Sequence, residues 1–224
     1  MSATETTTIP RPADEEDRLA ALHRYKLLDT PSSDDFTFLT ELAAKVCAVP
    51  YSYISLVDRD RVWVKSYTGI KADAFARDNC YCSLAILSDA DTYIPDLSRD
   101  PRTASMAVRV EGQQMAMYSS VPLKSSDGYP LGTLCVFDTV PHELSDEQRN
   151  MLQRLARQVM SLIELRANEQ ALQESMLELS KLATTDDLTG LHNRRALIER
   201  LGLEASRTKR YRTRMSAVMI DHCG

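Results

Sequence analysis

The sequence predicts an α+β fold, in which an antiparallel sheet is flanked by helices and followed by one long helix. Three observations lead to this prediction. Residues 15–46 repeat apolar positions at helical spacing, residues 51–138 contain alternating stretches separated by polar turns, and no glycine or proline occurs in residues 143–189. Helical spacing and strict alternation are the primary secondary-structure signals in a single chain. The 224 residues suit one full domain plus part of another, or two small domains.

Two helices are expected first. One covers residues 15–28 and ends at Asp29-Thr30-Pro31, because the residue before a proline avoids the helical region. Ser32 or Ser33 can cap the second helix, which Pro50 stops.

Four strands follow in two pairs. Each pair alternates in side-chain character, and each is joined by a polar turn typical of a hairpin. The expected strands are residues 51–57 with 61–67, and residues 115–124 with 129–138. Between the pairs, residues 71–91 are expected to be helical or irregular, and residues 93–95 form a short strand.

A long helix is expected to start at Ser145, which can cap it, with Asp146 and Glu147 in the first turn. Along it, apolar residues follow alternate steps of three and four, interrupted by Gln158 and Glu169. Such a heptad seam predicts a parallel dimeric coiled coil, and the alternative is a single helix packed on its own domain. The seam consists of Leu155, Leu162, Leu165, Leu172, Met176, Leu179 and Ala183.

Composition limits the partners. The net charge of −5 gives no general attraction to nucleic acid or anionic lipid, and the basic run 207–214 is interpreted as a solvated helix end or loop. No apolar run reaches the ~18 residues that cross a bilayer, and the N-terminus lacks the features of a signal peptide. We expect a cytoplasmic protein without nucleic-acid or membrane partners, with residues 1–13 as a disordered leader.

The five cysteines are odd in number and irregularly spaced, which favours free thiols in a reducing compartment. Cys80 and Cys82 invite comparison with a metal or redox pair. On a strand, however, alternate residues point to opposite faces, and no second pair follows. Ordinary buried thiols are therefore the preferred interpretation. The cysteines are Cys47, Cys80, Cys82, Cys135 and Cys223.

Five segments, in this order and spacing, resemble the GAF domains of bacterial sensors, and the resemblance covers residues 15–166. The segments are LLDTP (27–31), ISLVD (54–58), RVWVKS (61–66), VPL (121–123) and GTLCVFD (132–138). It implies helices on one side of the sheet and, on the other, a cavity that often holds a small ligand. Residues 100–106 and 117–120 depart from the common pattern, so the ligand is not carried over. The candidate ligand-binding residues are Tyr53, Trp63, Cys80, Ser83, Tyr118 and Ser120.

The run DDLTGLHNRR (186–195) resembles the start of a GGDEF, or diguanylate cyclase, domain. Asp221 matches the aspartate that binds magnesium and the GTP phosphates in that family. The chain ends at Gly224 and contains no Gly-Gly, so we expect an incomplete GGDEF portion: the first helix and strand, without catalytic residues. No cofactor is certain, and Mg²⁺ at Asp221 and GTP are expected only for a complete domain. The motif residues are Asp186, Leu188, Thr189, Gly190, Leu191, Asn193, Arg194 and Arg195.

The expected organisation is a leader (1–13), a GAF sensor domain (14–166), a helical coiled-coil linker (167–185) and the start of a GGDEF domain (186–224). The favoured function is a sensory module of cyclic-di-GMP signalling that binds a small ligand or transmits a signal through a dimeric stalk. The alternatives are the N-terminal part of an active diguanylate cyclase, which joins two GTP molecules, and a dimerisation protein with a filled core.

Overall fold

The structure, a computed structural model, describes residues 9–218 except residues 105, 107, 111, 187 and 217. Contacts divide the chain into two units, Met1–Ala167 and Asn168–Gly224. The α+β prediction is confirmed. The helices are α1 (Glu15–Arg24), α2 (Asp34–Cys47), α3 (Tyr81–Ala85), α4 (Asp146–Thr184) and α5 (Arg194–Tyr211), and the strands are β1 (Tyr51–Val57), β2 (Arg61–Thr68), β3 (Ala74–Ala76), β4 (Thr92–Ile94), β5 (Arg109–Val110), β6 (Gln113–Gln114), β7 (Met117–Lys124) and β8 (Pro130–Asp138).

Six strands form one antiparallel sheet in the order β3-β2-β1-β8-β7-β4. Both expected hairpins are present, β1–β2 and β7–β8. Strands β5 and β6 form a separate small hairpin. The long connection from β2 to β7 carries β3, α3 and β4, and it places α3 over the centre of the sheet.

Both faces of the central strands are buried, so side chains on each strand enter two separate cores. On β8, Leu134 and Val136 pack with α1, α2 and α4 in one core. The alternate residues Cys135 and Phe137 pack in the other core with α3 and the segments around it. We call these sides the helix face and the cavity face of the sheet.

A buried ionic cluster anchors α1. The side chain of Arg18 is fully buried, and its Nε and Nη2 donate to the Glu15 carboxylate at 2.8 and 2.9 Å. The Arg77 guanidinium, also buried, contacts the same carboxylate. Burial alone would raise the pKa of Glu15, but the hydrogen bonds from Arg18 and Arg77 lower it to about 2.

The chain is already packed upstream of the expected domain start at residue 14. Ile9 is buried in the cavity-face core. Arg11 lies 3.9 Å from the Asp78 carboxylate, in an exposed ion pair.

The start of α4 is fixed by a capping box. Ser145 Oγ accepts from the Gln148 amide at 3.2 Å, and Gln148 Oε1 accepts from the Ser145 amide at 2.9 Å. The first five turns bury one apolar stripe against the helix face. At the end of this stretch, Arg166 donates to Ser33 Oγ and Asp35 Oδ2. The buried residues of the stripe are Leu152, Leu155, Ala156, Val159, Met160 and Ile163.

In the second unit, the described residues of the motif 186–195 form a tight turn between helical segments. Asp186 Oδ1 accepts from the amide and the hydroxyl of Thr189, at 3.0 and 2.8 Å. Gly190 adopts a positive φ of 69°, which a residue without a Cβ adopts freely. Asn193 Oδ1 caps α5 at the Ala196 amide. The proposed metal ligand Asp221, and with it the expected GGDEF strand, lie outside the described residues.

None of the helices in the described part of the chain has the length and apolar character needed to cross a membrane.

We predict that Glu15→Gln lowers the free energy of unfolding at pH 7 by about 3 kcal/mol, because two buried guanidinium groups lose their counter-charge. The Glu15 pKa is about 2 in the fold and 4.5 ordinarily. Its stabilisation is therefore complete above pH 4.5 and is lost as the pH falls towards 2. Urea unfolding at pH 7 and pH 3 tests this prediction. The difference in the free energy of unfolding between wild type and variant should be smaller at pH 3.

The matched control is Glu16→Gln, which removes an ion pair with Arg59 in which both side chains are exposed. This change should lower the free energy of unfolding far less than Glu15→Gln does, because solvent screens an exposed ion pair. Equal effects of the two substitutions would contradict the anchoring role of Glu15.

Candidate functional site

A small apolar cavity lies between the cavity face of the sheet, α3 and the segment around β5. Its volume is about 30 Å³, enough for one or two water molecules. Its walls are aromatic rings, aliphatic side chains and three thiols. The lining residues are Tyr53, Phe75, Cys80, Tyr81, Cys82, Val108, Val110, Met115, Tyr118, Cys135 and Phe137.

The sheet register brings the strand residues of the site together. Cys135 on β8 is the cross-strand partner of Tyr53 on β1 and of Ser120 on β7. Tyr118 is likewise paired with Phe137. Because cross-strand partners share a face, all these side chains emerge on the cavity face.

Aromatic contacts stiffen the cavity wall. The Tyr53 ring packs edge-on against Phe137 with the centroids 4.7 Å apart, and its hydroxyl donates to the Ile70 carbonyl at 2.8 Å. Tyr81 and Tyr118 are tilted against each other at 5.4 Å. Such pairs add stability beyond the area that they bury.

Three thiols meet at one end of the cavity. Cys82 Sγ lies 4.0 Å from Cys135 Sγ, and the Tyr118 hydroxyl donates to Cys82 Sγ at 3.5 Å. Hydrogen bonds from Cys135 and Cys80 lower the pKa of Cys82 below its usual value, against the effect of burial. The pKa of Cys135 is raised, first by burial and then by the contact with Cys82.

Ser83 and Ser120 are both buried next to this site without lining the cavity. Their hydroxyls make no hydrogen bond within the described structure. A buried hydroxyl without a partner is costly, so the two serines form a polar spot that packing alone does not account for. Of the six candidate residues, the fold places Tyr53, Cys80 and Tyr118 on the cavity wall, whereas Ser83 and Ser120 are buried without lining the cavity.

Trp63 lies on the other side of the sheet, in the helix-face core. Strict alternation along β2 would put it on the same face as Tyr67, the partner of Tyr53. An irregularity in the register skips Lys65, so that Ser66 pairs with Ile54 and Val64 pairs with Ser55. This bulge reverses the facing of the residues before it, and Trp63 leaves the cavity side.

The bulge residue Lys65 is buried beside Trp63. Its Nζ donates to Thr30 Oγ1 and the Pro31 carbonyl at 2.7 and 2.8 Å, and it lies 5.5 Å from the Trp63 ring centroid. Burial, followed by the charge of Arg166, lowers the pKa of Lys65 to about 8.

Cys82 and Cys135 are not among the six candidate ligand-binding residues, and the sequence pattern favoured ordinary buried thiols for Cys80 and Cys82. Cys80 precedes α3, and a helical turn rather than a strand carries Cys82, so that both thiols reach the same cavity instead of opposite faces. For Cys135, the signal was available in its alternation with Phe137 along β8. In the described part of the chain, no group of three or more His, Cys, Asp or Glu side chains is arranged to hold a metal ion.

We predict that the fluorescence of Trp63, the single tryptophan, changes with a midpoint near pH 8 as Lys65 loses its proton. The folded protein releases this proton near pH 8, whereas the unfolded chain keeps it to about 10.5. The difference between the two pKa values makes the free energy of unfolding rise by up to about 3 kcal/mol between pH 8 and pH 10.5, because only the unfolded chain still holds the proton there.

In Lys65→Met, the fluorescence transition and the rise in the free energy of unfolding with pH should both be absent. The exposed Lys71→Met serves as the control and should retain both. A transition that persists in Lys65→Met would contradict the assignment.

Comparison with known proteins agrees with this architecture. The sequence matches the GAF domain family over residues 36–163, more than half of the chain. It is 29% identical over 202 residues to a cyclic di-GMP phosphodiesterase of Pseudomonas aeruginosa, covering 89% of this chain and 32% of the relative. It is also 29% identical over 144 residues to a diguanylate cyclase of Escherichia coli, covering 64% of this chain and 41% of the relative. The chain thus spans well under half the length of these relatives.

Among solved structures, the fold is similar to the GAF domains of phosphoenolpyruvate-protein phosphotransferases. The Acinetobacter domain has a TM-score of 0.51 at 17% identity, covering 66% of this chain and 93% of that domain. The Coxiella burnetii domain also has a TM-score of 0.51, at 13% identity, covering 70% and 98%. Sheet order, helix placement and sequence match lead to one conclusion: the chain belongs to the GAF domain family.

Proposed function

We propose that this chain is a cytoplasmic sensory module of cyclic-di-GMP signalling. The cavity receives a small ligand or chemical signal. The helix α4 carries the response, as a dimeric stalk, to a GGDEF output domain of which residues 186–224 are the start.

The observation that carries this proposal is the position of the cavity on the same strands that support α4. On β8, Cys135 and Phe137 line the cavity, while the alternate residues Leu134 and Val136 pack in the core that contains α4. A close-packed core transmits small displacements, because side chains cannot move without disturbing their neighbours. An event in the cavity therefore has a short path through one strand to the helix.

The size of the cavity limits its occupant. A molecule of one or two heavy atoms fits the 30 Å³ volume without rearrangement. A larger ligand requires displacement of the segment that carries Val108, Val110 and Met115, which has little regular structure.

The signalling context rests on the relatives. One is a cyclic di-GMP phosphodiesterase and the other a diguanylate cyclase, so one degrades cyclic di-GMP and the other makes it. An alignment that covers 89% of the chain extends well outside residues 36–163, the range of the GAF match. The proposal is accordingly a regulatory module, without a choice between synthesis and degradation.

The motif residues support the proposed start of an output domain. Asp186, Thr189, Gly190 and Asn193 each have a structural part in the turn between helical segments. Leu188, Leu191 and several α5 side chains remain exposed, as expected for residues that the rest of such a domain would cover.

The exposed seam of α4 supports the dimer. From Leu165 onwards, the leucines and the methionine of the heptad are solvent-exposed. A helix of this polarity gains stability by pairing its apolar stripe with that of a second copy. The exposed seam residues are Leu165, Leu172, Met176, Leu179 and Ala183.

We predict that Leu179→Glu weakens dimerisation at least about tenfold, because losing a buried leucine from each chain costs more than ~1.4 kcal/mol. Leu177 is a matched control, since both leucines are 65% exposed but only Leu179 lies on the seam. Leu177→Glu should leave dimerisation nearly unchanged, as measured by sedimentation equilibrium. Equal weakening by both changes, or a monomeric wild type at all concentrations, would refute the proposed stalk.

We further predict that Phe137→Leu loosens α4 across the sheet. Hydrogen exchange in residues 152–163 should rise about fivefold, the equivalent of ~1 kcal/mol, and more than in α2. The exposed Phe38→Leu is the matched control and should leave α4 unchanged. An equal rise in α2 and α4, or no rise in α4, would count against transmission through β8.

A further inference from the structure

Cys80, Cys82 and Cys135 are all buried and free of disulfides, and they converge from two elements, α3 with its preceding residue and β8. A lone buried thiol is usually inert. Here three thiols lie beside the Tyr118 hydroxyl at the wall of a water-sized cavity.

We propose that this cluster is a peroxide-reactive site, in which Cys82 is oxidised by a small hydroperoxide and then forms a disulfide with Cys135. The assignment rests on the 4.0 Å separation of the two sulfur atoms and on the cavity between them and the adjoining rings. The sulfur atoms must approach by about 2 Å to reach disulfide bonding distance. Cys82 lies on a helix of only five residues, which leaves this movement to a short element.

The size of the cavity selects the oxidant. A volume of about 30 Å³ admits hydrogen peroxide, which is little larger than one or two water molecules, and excludes bulky hydroperoxides. Because the walls are apolar, a charged oxidant would enter only at a high desolvation cost.

The chemistry balances with hydrogen peroxide as the only co-reactant. The Cys82 thiolate attacks one peroxide oxygen, so that an S–O bond forms and the O–O bond breaks. The leaving hydroxide takes up the proton that the Cys82 thiol released and departs as water, and Cys82 becomes a sulfenic acid. Cys135 sulfur then attacks the Cys82 sulfur. The S–S bond forms, and the hydroxyl leaves with the Cys135 proton as a second water molecule. The two sulfur atoms are oxidised and the two peroxide oxygens are reduced.

The surroundings of Cys82 and Cys135 indicate which thiol reacts with the peroxide and which one then forms the disulfide. Cys82 Sγ accepts a hydrogen bond from the Tyr118 hydroxyl at 3.5 Å and lies beside both other thiols. Such hydrogen bonds stabilise a thiolate. Cys135 is held on the rigid centre of the sheet at contact distance, as a resolving thiol should be. Metal binding is a weaker explanation, since the described residues contain no group arranged for it.

Cys47 provides an internal reference. It is fully buried in the helix-face core, and burial raises its pKa to about 11. It reports how fast an ordinary buried thiol of this same protein reacts.

The test treats the whole chain, carrying Cys223→Ser, with stoichiometric hydrogen peroxide and follows each thiol by alkylation and peptide mass spectrometry. We expect a Cys82–Cys135 disulfide that forms at least about tenfold faster than Cys47 oxidises. Cumene hydroperoxide, which the cavity excludes, should react far more slowly at Cys82. Oxidation of Cys82 at the rate of Cys47 would overturn the proposal.

Single variants separate the roles, with urea unfolding to verify that each is folded. Cys82→Ser should abolish the disulfide, Cys135→Ser should leave a sulfenic acid on Cys82 that dimedone traps, and Cys80→Ser should still form the disulfide. A Cys82–Cys80 disulfide in the parent protein would overturn the assignment of Cys135.

The effect of oxidation on signalling rests on the proposed sensory function, and a separate measurement tests it. Hydrogen exchange in residues 152–163 should change on oxidation and recover on reduction. A disulfide without any change in α4 would preserve the peroxide site and reject the coupling to the stalk.

Discussion

The fold depends on one constraint: the central strands of the sheet must be buried on both faces. Side chains alternate between the two faces of a strand, so the apolar residues of β1, β7 and β8 must be covered on both faces of the sheet. Three helices provide it on one face, and α3 with irregular segments provides it on the other. The two covers differ in kind, since long helices pack closely whereas short elements leave a gap. The cavity lies where the cover is irregular.

Charged groups fix these covers in place. Glu15, between Arg18 and Arg77, attaches α1 to the sheet, and Lys65 and Arg166 hold the chain around residues 30–35. Each group satisfies several hydrogen-bonding atoms at once, which offsets the cost of burying its charge. The last residue of this network along the chain is Arg166, and the first unit ends at the next residue, Ala167. The helix α4 thus has a packed part, which shares a core with β8, and a further part with an exposed seam.

This division gives the proposed signalling path its physical basis. The thiol cluster lies on one face of the sheet at β8, and the packed stripe of α4 lies on the opposite face. A bond formed between Cys82 and Cys135 would draw α3 towards β8, and the strand cannot move without affecting Leu134 and Val136 on its other face. A stalk that has two arrangements of similar energy would respond to a small displacement of this kind.

Local sequence rules sufficed for the elements themselves. The apolar periods gave the helices and hairpins to within a few residues, because period and turn chemistry act over short distances. The resemblance to GAF domains, rather than the periods, indicated Tyr53, Cys80 and Tyr118 as candidates for a common cavity. Alternation failed at Trp63, since a one-residue bulge at Lys65 leaves no trace in the apolar pattern yet reverses the faces of β2. It failed again at Cys82, which a short helical turn carries. The meeting of Cys82 with Cys135, 53 positions apart, depends on strand register and on how α3 lies over the sheet. Those are long-range packing outcomes, and only the folded chain decides them.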